Sequence, residues 1–344
     1  MHDSDASEAI DTGGPEAVLG RVGELATAAE QATLVHVALQ TGLLTRCAEP
    51  TTALDLADAL GTSEERVEDV CTALVALGAL EPVPKGAYRL TADWMGLTRG
   101  GVDVSLMNAL AGAAARRQTL AQILGSPPSY WELDAGSRSA MADSVTLATT
   151  TEFGRALTRA AVTEIPELEQ AVKAGGSWLE LGCGVAGMLL GTLVAYPDMT
   201  AVGVDVAPDL LDTARARAER LGVADRVQFV EADATTYQHD KPVDIVFWSQ
   251  FFFPAASRRA ALDNAFARLR PGGLLVCPVL PGQDQDPTSR SIAAQQSSLL
   301  ALLIRDWAPI QSFEELADEI TGAGFADIRQ NHGNVLLTMT ARRH

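Results

Sequence analysis

Three carboxylates in the second half of this chain stand where they could grip a small ligand. Glu180, Asp205 and Asp233 each lie at the end of a short apolar run (177–181, 201–206, 227–230) of the kind that forms a buried strand. After Glu180 come Gly182, Gly184 and Gly187, spaced G-x-G-x-x-G. Lacking Cβ atoms, such glycines let the backbone turn tightly and a ligand come close, so alone they fit a nicotinamide dinucleotide as well as other nucleosides. Glu180 separates these choices. Its carboxylate would repel a pyrophosphate held on the following helix N-terminus, and it suits a ligand with cationic groups and no phosphate, as S-adenosylmethionine is. Asp205 is placed to accept from both ribose hydroxyls, which either cofactor offers. Asp233 can accept from an adenine amino group while a backbone N–H nearby meets a ring nitrogen. The bland alternative is that the three acids cap helices or turns.

On these residues the chain resembles a family. Glu180–Gly184, Val202–Asp205, Glu231–Ala234, Asp244–Phe247 and Leu269–Gly273 look like the successive motifs of class I S-adenosylmethionine-dependent methyltransferases. From residue 20 to 340 the chain is similar to the dimeric small-molecule enzymes built on the O-methyltransferase plan. The resemblance implies that Gly182 and Gly184 approach the methionine part, that Asp205 binds ribose, and that Asp233 with Ala234 holds adenine. Glu180 and Ser249 complete the expected cofactor set. Ala186 stands where many members have a third glycine, and Gly187 just after it should make this tolerable.

Methyl transfer from a sulfonium is an in-line displacement in which the protein chiefly aligns the nucleophile and excludes water. The resemblance implies a histidine base just after the fourth strand. Counting back from Pro271–Gly273 puts it near Phe251–Phe253, where this sequence has no histidine. Either the acceptor needs no strong base, or another group serves. His36 and His332 are two internal histidines, and Gln250 is the polar residue at that strand end, able to orient an acceptor or to satisfy turn backbone. Trp248 and Phe252 are expected to wall the acceptor pocket, or else to be core. Met141 is expected there by resemblance to a family helix, or else packs its own helix. No histidine pair or His/carboxylate cluster lies near Gln250 or along 278–307, so no metal site is expected.

To position these groups the chain needs a parallel sheet. Apolar runs at 177–181, 201–206, 227–230, 243–248 and 273–279 alternate with helical stretches at 186–195, 208–221, 257–270 and 312–322. Ala326–Asn331 and Val335–Thr340 close the chain as a hairpin. The expected fold is α/β: a Rossmann-like, seven-stranded, mostly parallel sheet with an antiparallel C-terminal hairpin, over 175–344. Upstream, an apolar helical pattern at 17–42 precedes two short helices joined at Gly61–Ser63, Ser63 capping the second. Leu80–Val83 and Ala87–Leu90 then flank Pro84–Gly86. Residues 17–100 thus read as a mainly α, winged-helix dimerisation domain, 1–16 as a flexible acidic tail, and 101–174 as a helical linker contributing to the acceptor pocket, broken at 125–128 and at Pro166.

A winged helix often binds DNA, yet this one presents Glu64, Glu65, Glu68 and Asp69 with Arg66 as the only base. That face and a net charge of −18 oppose a nucleic-acid partner. A homodimer and a small-molecule acceptor are the expected partners. No apolar run approaches the roughly 18 residues a membrane span needs, and residues 1–16 lack the basic and apolar segments of a secretory signal. A cytoplasmic protein is expected. The four cysteines (Cys47, Cys71, Cys183, Cys277) show neither paired zinc spacing nor a disulfide framework.

Overall fold

The computed structural model describes residues 14–98, 130–146, 149, 152–279, 308–309, 311–333 and 336–344. Most of the acidic tail, the break at 125–128, the neighbouring helical stretch and the turn residues Asn334 and Val335 lie outside these residues. The chain divides into two compact units, Met1–Arg99 and Gly100–His344.

In the first unit a 26-residue helix, Pro15–Gln40, leads into Leu43–Arg46 and then Ala53–Leu60 and Glu64–Ala76. Thr52 and Ser63 cap the last two helices by accepting the backbone N–H of Asp55 and Arg66. Strands Leu80–Val83 and Ala87–Leu90 pair antiparallel, and Thr51–Thr52 adds to the outer side of the second. Leu44, Leu56, Leu74, Leu80 and Leu90 form the unit's buried centre. Glu64, Glu65, Glu68 and Asp69 all face solvent. Among its described residues the long helix buries only Val35, Ala38 and Leu39, toward its C-terminus, and Leu25 is exposed.

The second unit is a seven-stranded sheet. Its strands in chain order are β4 (Ser177–Leu181), β5 (Thr200–Asp205), β6 (Val227–Glu231), β7 (Val243–Trp248), β8 (Leu269–Pro278), β9 (Ala326–His332) and β10 (Leu337–Arg342), counting after the three of the first unit. Their spatial order is β6-β5-β4-β7-β8-β10-β9. The first five run parallel, while β10 is antiparallel to both β8 and β9. From β4 the chain steps outward to β5 and β6, then returns to lay β7 and β8 on the other side. That reversal places a switch point between β4 and β7, and ligands bind such sheets beyond the strand C-termini there.

Alternating side chains feed two cores. Trp178, Ile245, Phe247 and Val276 meet Val162 and Leu168 from helices Glu152–Thr163 and Pro166–Lys173, and Ile165 from the link between them. Leu179, Leu181, Val204 and Trp248 meet Leu262 and Ala265 from Ala255–Arg268, and Leu316 and Ile320 from Phe313–Gly322. Both faces are covered, which is why the central strands read as continuous apolar runs. Helix Ala255–Arg268 ends two residues earlier than the sequence pattern implies, because Leu269 already pairs with Val243 in the sheet. Among the described residues no helix is long and apolar enough to cross a membrane.

Candidate active site

The glycine loop begins where β4 ends. Gly182, Gly184 and Ala186 take positive φ (73°, 51° and 56°), turning the chain into helix Gly187–Ala195. A Cβ on Gly182 would lie 2.9 Å from the Phe253 ring, so glycine is required there for space as well as for φ. Ala186 takes the left-handed conformation that the missing glycine would have adopted freely, at a cost of roughly 1–2 kcal/mol. It is fully buried, and its methyl packs in the core.

Asp205 is the anchor of this loop. Its Oδ2 accepts the Gly184 N–H at 2.8 Å and its Oδ1 accepts the Ala207 N–H at 2.9 Å. Burial holds its carboxyl above the ordinary value, and those amides offset only part of the rise. Beside the ribose hydroxyls expected of it, each oxygen already holds one backbone amide. An ionised carboxylate has about four acceptor positions, so two remain for a ligand. Asp233 forms a local turn, its Oδ1 accepting from the Thr235 N–H and hydroxyl at 2.8 and 2.7 Å. Ala234 is buried, and its carbonyl accepts from Asn264 Nδ2 at 2.8 Å. Asn264 also holds the Tyr237 carbonyl, fixing the whole 233–237 turn.

A cleft of about 240 Å³ opens beyond these strand ends, lined by Gly182, Asp205, Asp233, Ala234, Phe252 and Phe253. It is smaller than the roughly 300–1,000 Å³ of a site enclosing a whole drug-sized ligand, so it suits part of one. Ser249 packs beside Gly182, its Cβ 3.6 Å from where a Gly182 Cβ would be. Glu180 lies behind the loop, 3% exposed, and its Oε2 has no hydrogen-bond partner. Burial, with the charge of Asp205 adding to it, pushes the Glu180 carboxyl up to about 8. An unpartnered carboxylate oxygen buried at this strand end suits the arrival of a cation.

On the acceptor side the outcome is divided. Met141 is buried in a cluster with Tyr130, Val185, Ala207 and Leu210, against which Phe251 and Phe252 pack. The Tyr130 and Phe252 rings are 5.3 Å apart. The helix carrying Met141, Ala135–Val145, is tied to helix Pro208–Arg220 by the ion pairs Arg138–Asp209 and Arg217–Asp143. Trp248 is not a wall: it is fully buried in the sheet core, with the Arg258 guanidinium 4.7 Å over its ring. Gln250 is also buried, and its Nε2 donates to the Pro278 carbonyl at 3.1 Å, tying the turn after β7 to the end of β8. Its Oε1 has no partner.

Tyr130, Asn264 and Arg258 were not singled out from sequence. Asn264 and Arg258 had a signal, since each shares the helical face of the apolar residues Ala261, Leu262 and Ala265. Tyr130, before a helix with little amphipathic pattern, had none.

Phe251 occupies the region given by resemblance to the base. His332 ends β9, three strands from β7, and strand spacings of about 4.8 Å put it roughly 14 Å away across the sheet. His239 lies at the opposite end of the sheet, beside the first residues of β4 to β7. Among the described residues no group of three His, Cys, Asp or Glu side chains could hold a metal ion.

Residues 179–273 match the family model described as a methyltransferase domain. Over these residues the chain is similar to a methyltransferase domain, and its sheet and glycine loop share the fold of solved methyltransferases. Over 172 residues the chain is 29% identical to erythromycin 3''-O-methyltransferase of Saccharopolyspora erythraea, covering 46% of this chain and 53% of that protein. The chain spans about half the length of the curated relatives it matches. An O-methyltransferase family protein from Burkholderia thailandensis superposes with a TM-score of 0.71 at 19% identity, covering 94% of this chain and 98% of that one. Human N-acetylserotonin methyltransferase in complex with S-adenosylmethionine gives 0.70 at 15% identity, covering 99% of each.

Proposed function

We propose that this chain methylates a small organic metabolite by in-line displacement, without a histidine base. The cleft at the switch point carries the proposal, because it gathers Gly182, Asp205, Asp233 and Ala234 from three strand ends. S-adenosylmethionine supplies a methyl group already activated by its positive sulfur. Asp205 would use its two remaining acceptor positions on ribose, and Asp233 with Ala234 would receive adenine. Gly182 and Gly184 leave room for the methionine part, beside Ser249, and Glu180 would ionise against its cationic groups. Phe252 and Met141, with Tyr130, would wall the acceptor and exclude water, which leaves alignment as the main catalytic contribution. Gln250 would act by fixing the turn after β7.

With phenylalanine at 251, the acceptor fits one whose nucleophile needs no strong base: an amine, a stabilised enol, a carboxylate or an acidic hydroxyl. We assign residues 17–100 to a winged-helix dimerisation domain, 101–174 to a helical linker reaching the acceptor pocket, and 175–344 to the methyltransferase domain of a cytoplasmic homodimer. Phe251 also favours a second reading, a rearrangement or decarboxylation on the same fold, which would bind the cofactor without yielding S-adenosylhomocysteine. A nucleoside-sensing DNA regulator is disfavoured by the exposed acids on Glu64–Ala76.

The test has two arms. S-adenosylhomocysteine should raise the melting temperature by binding only the native state, while NAD should not. Methyl-labelled S-adenosylmethionine with cell extract should then pass label to a small molecule as S-adenosylhomocysteine accumulates. A shift with NAD and none with S-adenosylhomocysteine would overturn the assignment. Binding without label transfer or S-adenosylhomocysteine would favour the second reading.

A further inference from the structure

Arg258 and Arg259 are neighbours on helix Ala255–Arg268 with opposite fates. Arg259 points to solvent and pairs with Asp263. Arg258 is 1% exposed, deep beneath the turn that follows β7. Its Nε donates to Glu319 Oε1 at 2.9 Å, and Nη2 donates to Glu319 Oε2 at 2.7 Å and to Gln311 Oε1 at 2.5 Å. Nη1 donates to the main-chain carbonyl of Gln250 at 2.9 Å, and the guanidinium plane covers Trp248. Three separate stretches of chain thus converge on one buried cation.

We propose that Arg258 is a positioning residue for the cofactor cleft, holding the 249–254 turn in the place where its side chains form the cleft wall. Phe252, Phe253, Pro254 and Ser257 all line the cleft, and Ser257 immediately precedes Arg258. Phe253 reaches the glycine loop itself, where its ring fills the space that a Gly182 Cβ would need. The turn is short, with Phe252 N–H donating to the Ser249 carbonyl and Phe253 N–H to the Gln250 carbonyl. The Gln250 carbonyl is therefore shared between the turn and Arg258, so moving one moves the other. A buried ion pair is weak evidence for stability, since an apolar packing of equal volume often does as well. What the planar fork adds is direction: it bonds three groups at once, which the single ammonium of lysine cannot do in the same geometry. Through Glu319 and Gln311 the cleft wall is also registered against helix Phe313–Gly322 and the residues leading into it.

The proposal rests on S-adenosylhomocysteine being a ligand, so the wild-type chain is the control. Calorimetric titration of wild type with S-adenosylhomocysteine comes first: failure to bind sinks the cofactor reading itself. Arg258→Lys, which keeps the charge, should weaken binding about tenfold or more, a change of about 1.4 kcal/mol. Hydrogen exchange of the unliganded variant should quicken in peptides covering 249–254 and 311–319, with β4 to β6 unchanged. Should Arg258→Lys fail to fold, Gln311→Ala, which removes one partner from the network, should show the same local pattern with a smaller affinity loss. An affinity within twofold of wild type, or exchange that quickens equally throughout the second unit, would overturn the proposal.

Discussion

Glu180 shows how one buried side chain can write a pH dependence into the whole chain. Its carboxyl lies at about 8 in the folded protein against an ordinary 4.5, so between these values the native state holds a proton that the unfolded chain has released. Stability therefore falls as pH rises through that window. Glu180→Gln should match wild type near pH 4.5 and become the more stable protein above pH 8. The gain should be on the order of a few kcal/mol, each pKa unit being worth about 1.4 kcal/mol. Urea denaturation at several pH values checks it, and parallel curves for the two proteins would refute it. Cofactor binding should show the opposite preference: a cation favours the ionised acid, so wild type should bind S-adenosylmethionine more tightly as pH rises toward 8 and Glu180→Gln should not.

At this scale the legible part of the site was what strand ends dictate. Glycines and acids placed a few residues apart at the ends of apolar runs must meet at one edge of a parallel sheet, and Gly182, Asp205, Asp233 and Ala234 do. The illegible part depends on partners far along the chain. Asp205 is committed to an amide 21 residues away, and Trp248 is core because Arg258 and its helix cover it. Strand β7 is buried on both faces, so no alternation of polar and apolar residues marks which side of it faces a pocket.

Elements were easier to read than contacts between them, and Gly191 illustrates the gap. Within helix Gly187–Ala195 a glycine looks like a flaw, since alanine is about 1 kcal/mol better in a helix interior. The structure gives the reason for it. A Cβ at Gly191 would lie 2.6 Å from both Thr149 Cγ2 and Thr158 Oγ1, so helix Glu152–Thr163 can approach only because nothing is there. Overpacking of this kind typically costs 1–3 kcal/mol, which exceeds the propensity gain. Gly191→Ala should accordingly lower the stability of the second unit by about 1–2 kcal/mol. Chemical denaturation measures it, and a stabilised variant would mean that the two helices do not meet so closely.

At the scale of the whole molecule, the first unit carries more apolar surface than it covers. Val18, Leu19, Val22 and Leu25 are 59%, 71%, 56% and 60% exposed along the first half of the long helix. They recur at spacings of three and four residues, so Val18, Val22 and Leu25 share one stripe. Scattered apolar residues on a surface need no explanation, but a contiguous stripe on a small unit marks an interaction site. The same helix buries three residues near its other end, so it is anchored at its C-terminal part and presents the rest. A second copy of the chain, which carries the same stripe and meets it about a twofold axis, is the partner that the proposed dimer supplies. Light scattering of the intact chain at micromolar concentration should give about twice the 36.3 kDa of one chain. The double substitution Val18→Glu with Val22→Glu places two carboxylates in the stripe and should halve that mass, while S-adenosylhomocysteine affinity stays within about twofold because the cleft residues lie in the other unit. A wild-type mass of one chain would leave the stripe for some other partner, and a double variant that remains dimeric would move the interface off this helix.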